Sequence, residues 1–374
     1  MSWTVNVSNA IKNNAPKVRK ILDEHPYIID AAKDLRNKKL DVIENIEKYI
    51  EQVKINVEAS NGHFHFAKTK NDALSIVDSI IKNKNRIVLS KSNVLYEISL
   101  REHLSNRDIW ETDLGEYLVQ IGNDMPSHLV APAIHLSKDD VAGLLNKNLS
   151  NDINKSTSTE EMVRYVREFL MKKYINADVG ITGANAVAAD TGSIILVENE
   201  GNIRMDTVMP RIHIAITGVD KIVPRLSDAF EEAMVQAAYA GFYPPTYINV
   251  TSGPSSTGDI ELKKVTPATG PAEFHLILLD NGRLDAAKDD LMRESLLCIR
   301  CGRCYFSCPA YRLYGKEFGN PPYTGPTGIM WSAITMNDYS KSQLCMHSAG
   351  CREVCPMGID IPKVIEKIKF LDLS

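Results

Sequence analysis

Two stretches, CIRCGRCYFSCP (Cys298–Pro309) and CMHSAGCREVCP (Cys345–Pro356), carry all seven cysteines of the 374-residue chain. The first spaces its thiols C-x2-C-x2-C-x3-C-P and the second C-x5-C-x3-C-P; the 297 residues before Cys298 contain none. A secreted disulfide framework would spread its cysteines and use an even number. Seven thiols within 58 residues read instead as metal ligands in a reducing compartment. They also divide the fold. The last ~90 residues are too few to build a large hydrophobic core, so bound metal is expected to help hold them together.

Working outward, the rest of the chain shows a different pattern. Residues 1–61 read as helical: Leu40, Ile43, Ile46, Ile50, Val53 and Val57 recur at spacings of three and four. From 62 to 284 short β-branched runs alternate with helix-like stretches at 71–83, 158–173 and 226–240. The runs are RIVLS, HLVAPAI, SIILVE, HIAITG, YINVTSG and FHLILLD. Such alternation predicts an α/β domain with a largely parallel sheet. A charged helical stretch, RLDAAKDDLMRESLL, leads into a third region, 285–374, that holds the cysteines and reads as all-α. With a formal charge of −4, nothing favours nucleic acid or an anionic membrane surface. The longest apolar runs are strand-sized, too short to span a bilayer. Neither a secretory start nor a lipidation motif is present. The expectation is a cytoplasmic protein, peripheral to the inner face of a membrane only through partners.

C-x2-C-x2-C-x3-C-P is the bacterial ferredoxin run, in which three cysteines share one cluster and the fourth ligates another. Applied here, Cys298, Cys301, Cys304 and Cys355 are assigned to a [4Fe–4S] cluster, and Cys308 crosses over to join Cys345 and Cys351. In the second motif Ser348 stands where the ferredoxin register has a cysteine. The C-x5-C-x3-C-P spacing resembles the iron–sulfur subunit of succinate dehydrogenase and fumarate reductase, where such a motif holds [3Fe–4S]. The expectation is therefore one cluster of each kind. Two alternatives stay open: zinc in a four-thiolate site, and a second four-iron cluster completed by Ser348, His347 or water.

KSNVLYEISL, ETDLGEYLVQI, PSHLVAPAIH, DVGITGANAVAADTGSIILVENEGN, RIHIAITGVDKIVP and TSGPSSTGDIE together resemble the signature stretches of the lactate-utilisation (LUD) family, in particular the iron–sulfur subunits of L-lactate oxidation complexes. The resemblance runs from about Gly62 to Gly358. It implies a NagB/ribose-phosphate-isomerase-like α/β domain, related in fold to 5-formyltetrahydrofolate cyclo-ligase, fused to an α-helical ferredoxin domain. It also implies partners: a cysteine-rich CCG-domain subunit, with an FAD-linked oxidase subunit or a second LUD protein as further candidates. Two departures stand out. The family's second motif is usually the compact C-x2-C-x3-C-P, and its usual C-terminal extension does not follow Cys355 here.

Candidate pocket residues come from small-residue turns. Asp190, Thr191 and Gly192 precede a strand-like run, and Glu200, Gly201 and Asn202 follow it. Ser252, Gly253, Ser255, Ser256, Thr257 and Asp259 form a second turn. Exposed N–H groups and hydroxyls at such turns suit a carboxylate or phosphate. Asp113 and Glu116 are further acid–base candidates, and His213 could transfer a proton, although a histidine between two isoleucines is more often a core residue. Two functions fit. In one, the chain is the iron–sulfur subunit of an oxidoreductase acting on a small 2-hydroxy acid of the lactate or glycolate type, passing electrons to a partner or a quinone-linked acceptor. In the other it is a non-catalytic relay in a heterodisulfide reductase-like complex, with its LUD domain reduced to a docking platform.

Overall fold

The structure is a computed structural model describing residues 2–372, with side chains from residue 13 onward. Three helices, Ser2–Glu24, Tyr27–Glu44 and Ile46–Ala59, come first. Ten strands follow in the α/β body: β1 (His63–Ala67), β2 (Arg86–Leu89), β3 (Asp108–Glu111), β4 (Val179–Thr182), β5 (Ala186–Ala188), β6 (Ile194–Glu198), β7 (Ile212–Gly218), β8 (Ile222–Val223), β9 (Tyr247–Thr251) and β10 (Glu273–Leu279).

Six of them form one sheet in the order β1-β10-β7-β4-β2-β3, and every neighbouring pair is parallel. Strands β4 and β7 are buried along their whole length, as expected where helices cover both faces of a parallel sheet. The other four make a mixed sheet in the order β8-β5-β6-β9. Against it packs the alanine-rich helix Leu226–Ala240. Its first N–H is accepted by Asp190 at 2.9 Å, and Gly241, at φ +92°, ends it.

In the C-terminal region short helical turns and the longer helices Gly325–Met336 and Ile361–Asp372 surround the thiols. A single apolar core joins this region to the body. It runs from Ile28 and Leu35 through Ala186, Ile195 and Ala233 to Leu297, Tyr305, Trp331 and Ile365. The cysteine region thus borrows the core it is too small to build.

Two sequence expectations are corrected. HLVAPAI is not a strand but a series of turns. Pro132 lacks a ladder donor, and the segment serves the cysteine region: Leu129 joins its core, His128 stacks on Phe306 at 5.0 Å, and the carbonyl of the preceding Ser127 accepts the Tyr311 hydroxyl. RLDAAKDDLMRESLL is two pieces, the helix Arg283–Ala287 and the 3-10 helix Met292–Leu297. Asp289 breaks it by accepting the N–H groups of Leu291 and Met292, which starts a new turn.

Candidate functional site

The first motif is a chain of tight turns. Arg300 and Gly302 take positive φ, which turns the backbone so that Cys298, Cys301 and Cys304 face a common centre. A side chain at Gly302 would press within 2.8 Å of the His128 ring. Cys298, Cys301, Cys304 and Cys355 line one small void, walled by Leu129, Ile299, Met357 and Ile361. Burial, and then the neighbouring Cys355 and Cys298, push the Cys301 thiol up to about 12. Cys355 is raised to about 11, again by burial and then by Cys298.

The other three thiols form a second group. Burial followed by Cys308 and Cys345 raises Cys351 to about 12, and Cys308 is raised by burial and by Cys345. Cys304 belongs to the first group yet also feels Cys351. Crowded, buried thiols resist ionisation unless a cation shares the site, and bound iron supplies one. Backbone N–H groups already point at the sulfurs: Tyr311 donates to Cys308 at 3.5 Å, and Arg303 and Arg352 donate to Cys301 and Cys351. Among the described residues no three His, Cys, Asp or Glu side chains sit close enough to share one metal ion. Two groups of buried thiols with backbone N–H groups aimed at the sulfurs are the donor chemistry of iron–sulfur clusters. His347 and Ser348 lie on an exposed loop.

A cavity of about 330 Å3 opens at the carboxyl ends of the neighbouring strands β2, β4 and β7, the usual ligand position in a parallel sheet. Lys91 follows β2, Asn185 follows β4, Thr217 belongs to β7, and Lys221, Gln236 and Arg300 complete the far wall. Gln236 bridges the body and the thiol loop, accepting from Asn185 at 2.6 Å and donating to the Ile299 carbonyl. Arg300 and Leu129 line both this cavity and the void holding the first thiol group.

Of the sequence candidates, Asp113, Glu200 and Asn202 line this cavity. Asp113 caps the helix Leu114–Ile121. Glu200 stands at the rim, raised to about 7 by burial of its carboxyl end and by Asp113, and it accepts the Leu114 N–H. The remaining candidates lie elsewhere. Asp190 caps the helix Leu226–Ala240, and Gly192 is pressed against Val57 of the third helix, with Thr191 between them. Ser252 bonds Ser193 at 2.6 Å, Gly253 abuts the Ser60 carbonyl, and Ser255 accepts the Gly270 N–H. Ser256 and Asp259 are exposed, and Thr257 donates to Asp259. Glu116 is buried against the Tyr96 hydroxyl. His213 is a core residue of β7, bonded to Thr182 at 2.9 Å and held neutral by burial, which lowers it to about 3.

Sequence reasoning missed Ser90, Lys91, Lys221, Gln236 and Arg300. The signal for the first two was available, because SKSN directly follows a parallel strand. Arg300 was hidden as a spacer inside C-x2-C.

An ionic network anchors the thiol loop. Asp220 pairs with Arg283 at 2.6 Å and with Arg300 at 2.7 Å, and Glu97 pairs with Arg283 at 2.7 Å and accepts the Tyr323 hydroxyl. Arg300 also lies 4.0 Å over the Trp331 ring. Burial alone would raise Asp220; Arg300 and Arg283 outweigh it and hold the carboxyl well below the ordinary range.

Comparison with known proteins gives the following. The model of the LUD domain matches residues 50–279, and that of the 4Fe-4S dicluster domain matches residues 294–359. The chain is 38% identical over 339 residues to lactate utilization protein B of Bacillus subtilis, covering 87% of this chain and 68% of that protein. It is 34% identical over 370 residues to the uncharacterized electron transport protein YkgF of Escherichia coli, covering 96% and 75%. A crystal structure of a DUF162 family protein from Deinococcus radiodurans overlaps with a TM-score of 0.34 at 13% identity, covering 62% of this chain and 97% of that one.

Proposed function

The chain belongs to the LUD-domain family, with a 4Fe-4S dicluster domain behind the LUD domain, and from that premise we propose that it is the iron–sulfur electron-transfer subunit of a complex oxidising lactate or a similar 2-hydroxy acid. Cys298, Cys301, Cys304 and Cys355 would hold a [4Fe–4S] cluster, and Cys308, Cys345 and Cys351 a [3Fe–4S] cluster. Clusters held there supply one-electron storage at two adjacent positions. The protein's own contribution is to space the thiols, exclude water from the first group with Leu129, Ile299 and Met357, and aim backbone N–H groups at the sulfurs.

The observation that carries this reading is the packing of the turn Arg303–Phe306, which holds Cys304, against the turn Gly350–Glu353, which holds Cys351. It makes a short relay from a buried position beside the cavity towards the exposed loop at Met346, His347 and Ser348. No helix among the described residues is long and apolar enough to cross a membrane. The partners proposed are a cysteine-rich CCG-domain subunit and either a flavoprotein, whose flavin would accept the hydride, or a second LUD protein.

The test is affinity isolation of the chain from native lysate under anaerobic, low-salt conditions, followed by lactate addition to the recovered complex. Co-isolation of such partners and lactate-dependent bleaching of the cluster absorbance are expected. A chain that elutes alone, with clusters that lactate never reduces when candidate partners are added back, contradicts the proposal.

A further inference from the structure

We propose that the cavity at the ends of β2, β4 and β7 is a binding site for a small organic carboxylate, held by Ser90, Lys91 and Arg300, and that Arg300 transmits its occupancy to the first thiol group. This deepens the electron-transfer reading and rests on it only for the second half.

Unmet donors point to the ligand. Ser90 is 1% exposed and Arg300 is 6% exposed. Among the described residues the Ser90 hydroxyl and the Nε and Nη2 of Arg300 have no hydrogen-bond partner. Both residues line the cavity. Leaving buried donors unpaired is costly, and a native fold tolerates it where a ligand supplies the acceptor. Arg300 spends only Nη1 on Asp220. A carboxylate is the anion whose paired oxygens match the remaining fork of a guanidinium.

The lining carries three cations and three carboxylates, and their partners decide which of them are available. Among the lining cations, Lys221 faces Glu232 at 3.7 Å, whereas Lys91 donates to the Val130 carbonyl and joins no ion pair among the described residues. Of the lining carboxylates, Glu198 is consumed by the N–H groups of Ile203 and Arg204, the Asn249 amide and the Arg204 guanidinium. Asp113 and Glu200 each accept one backbone N–H and keep acceptor capacity for a ligand hydroxyl. A wall with free cationic donors and free acceptors suits an anion that also carries a hydroxyl or oxo group. At about 330 Å3, against about 30 Å3 for a water in bulk, the cavity admits a three- or four-carbon acid together with several waters.

Arg300 supplies the coupling. It sits between Cys298 and Cys301 in the chain and lines both the cavity and the thiol void. An anion docked on its free face adds negative charge one side chain away from the first thiol group. Reduction adds negative charge too, so the two events oppose each other. By linkage the anion binds the oxidised protein more tightly, and its binding lowers the midpoint potential of the first cluster. Each tenfold preference corresponds to about 59 mV for one electron.

The test uses the purified, cluster-loaded chain without partners, under anaerobic conditions. Calorimetric titration with L-lactate and with pyruvate should show binding at least tenfold tighter than with lactamide, which lacks the carboxylate. Lys91→Gln should weaken the acids tenfold or more with iron content unchanged. Saturating pyruvate should lower the potential of the first cluster in an EPR-monitored titration, and Arg300→Lys should abolish that shift while keeping the cluster signal. If Arg300→Lys does not assemble, Ser90→Ala carries the same test through weakened binding. Absence of binding, equal binding of lactamide, full affinity in Lys91→Gln, or an unmoved potential at saturation each overturns the proposal. A chain that fails here yet relays electrons from lactate in the assembled complex leaves the relay reading standing, so the two failures are distinct.

Discussion

Cys298, Cys301, Cys304 and Cys355 share a void walled by aliphatic side chains and overlain by the α/β body, whereas the segment joining Cys345 to Cys351 carries Met346, His347 and Ser348 on its exposed side. The first group is also tied to the body electrostatically, through Arg300, Asp220 and Arg283. The second group has no counterpart to that network among the described residues. A redox centre kept dry and anchored keeps a steady potential, while one near the surface can exchange electrons with another protein. In the proposed relay the contrast would direct electrons from the cavity side outward.

The sharpest way to break this contrast is at Asp220. Asp220→Ala leaves Arg283 and Arg300 short of a buried counter-charge, and losing one partner of a buried pair costs about 3–5 kcal/mol. Denaturant unfolding under anaerobic conditions should show a loss of that order, with iron released first from the first thiol group. The exposed pair Lys288–Asp285, 76% and 87% exposed, is the control, and Lys288→Ala should cost less than about 0.5 kcal/mol. Similar losses for the two variants would mean that the network does not anchor the loop. The pH sign follows from the depressed Asp220. Its stabilisation is complete above the unfolded carboxylate value of about 3.9 and is lost only in stronger acid.

Chelation sharpens the same contrast. An iron chelator should remove iron in two phases, with the faster phase drawn from the group at Cys308, Cys345 and Cys351. The fast phase should vanish in Cys351→Ser. A single phase in the parent protein would mean that the two groups are equally accessible.

The second group also differs by one sulfur. A serine hydroxyl is a harder and far less acidic donor than a thiol, and Ser348 is exposed. Anaerobically prepared protein should therefore carry about seven irons per chain and show a three-iron EPR signal when oxidised, lost on mild reduction. Ser348→Cys should raise the count to about eight and remove that signal. Eight irons in the parent, with no oxidised-state signal, would assign the fourth ligand to Ser348, His347 or water, and Ser348→Ala and His347→Ala separate the three.

These regions also differ in how far the sequence discloses them. Local spacing brings Cys298, Cys301 and Cys304 together, because turns of three residues converge whatever surrounds them, while the crossover of Cys308 and Cys355 was expected only from the ferredoxin run. The α/β alternation was equally legible from period and composition, and the helix at 226–240 has the bounds its pattern suggests. Strand order was not, since it depends on contacts distant in sequence. HLVAPAI looks like a strand because it is apolar, yet its partners are Phe306 and Tyr311, nearly two hundred residues away. The turns at Asp190–Gly192 and Ser252–Asp259 have the composition of anion loops, but small residues are needed just as much where backbones pack closely, as Gly192 does on Val57 and Gly253 on Ser60. Glu200 and Asp113 were readable as acids beside a strand end. Arg300 was not, because its role exists only once the thiol loop folds over the body.

The smallest expected effect concerns Glu200, and it probes the cavity side of the contrast. Its carboxyl is raised to about 7 by burial and then by Asp113, with Glu198 adding to the rise and the Leu114 N–H and Lys91 opposing it. Below pH 7 Glu200 is neutral and the wall is more positive, so a carboxylate ligand binds more tightly. As pH rises through 7 the Glu200 charge appears and affinity should fall by about two- to fivefold, because a rim charge is partly screened by solvent. Lys221, lowered to about 8 by burial and then by Arg300, should give a second fall as it loses its proton above that value. Glu200→Gln should therefore erase the step near pH 7 and leave the one near pH 8. Calorimetric titrations with pyruvate at pH 6, 7 and 9 separate the two steps, since pyruvate itself stays ionised throughout. If the step near pH 7 survives in Glu200→Gln, the titrating group is Glu116, which burial also raises to about 7, and Glu200 is no part of the binding wall.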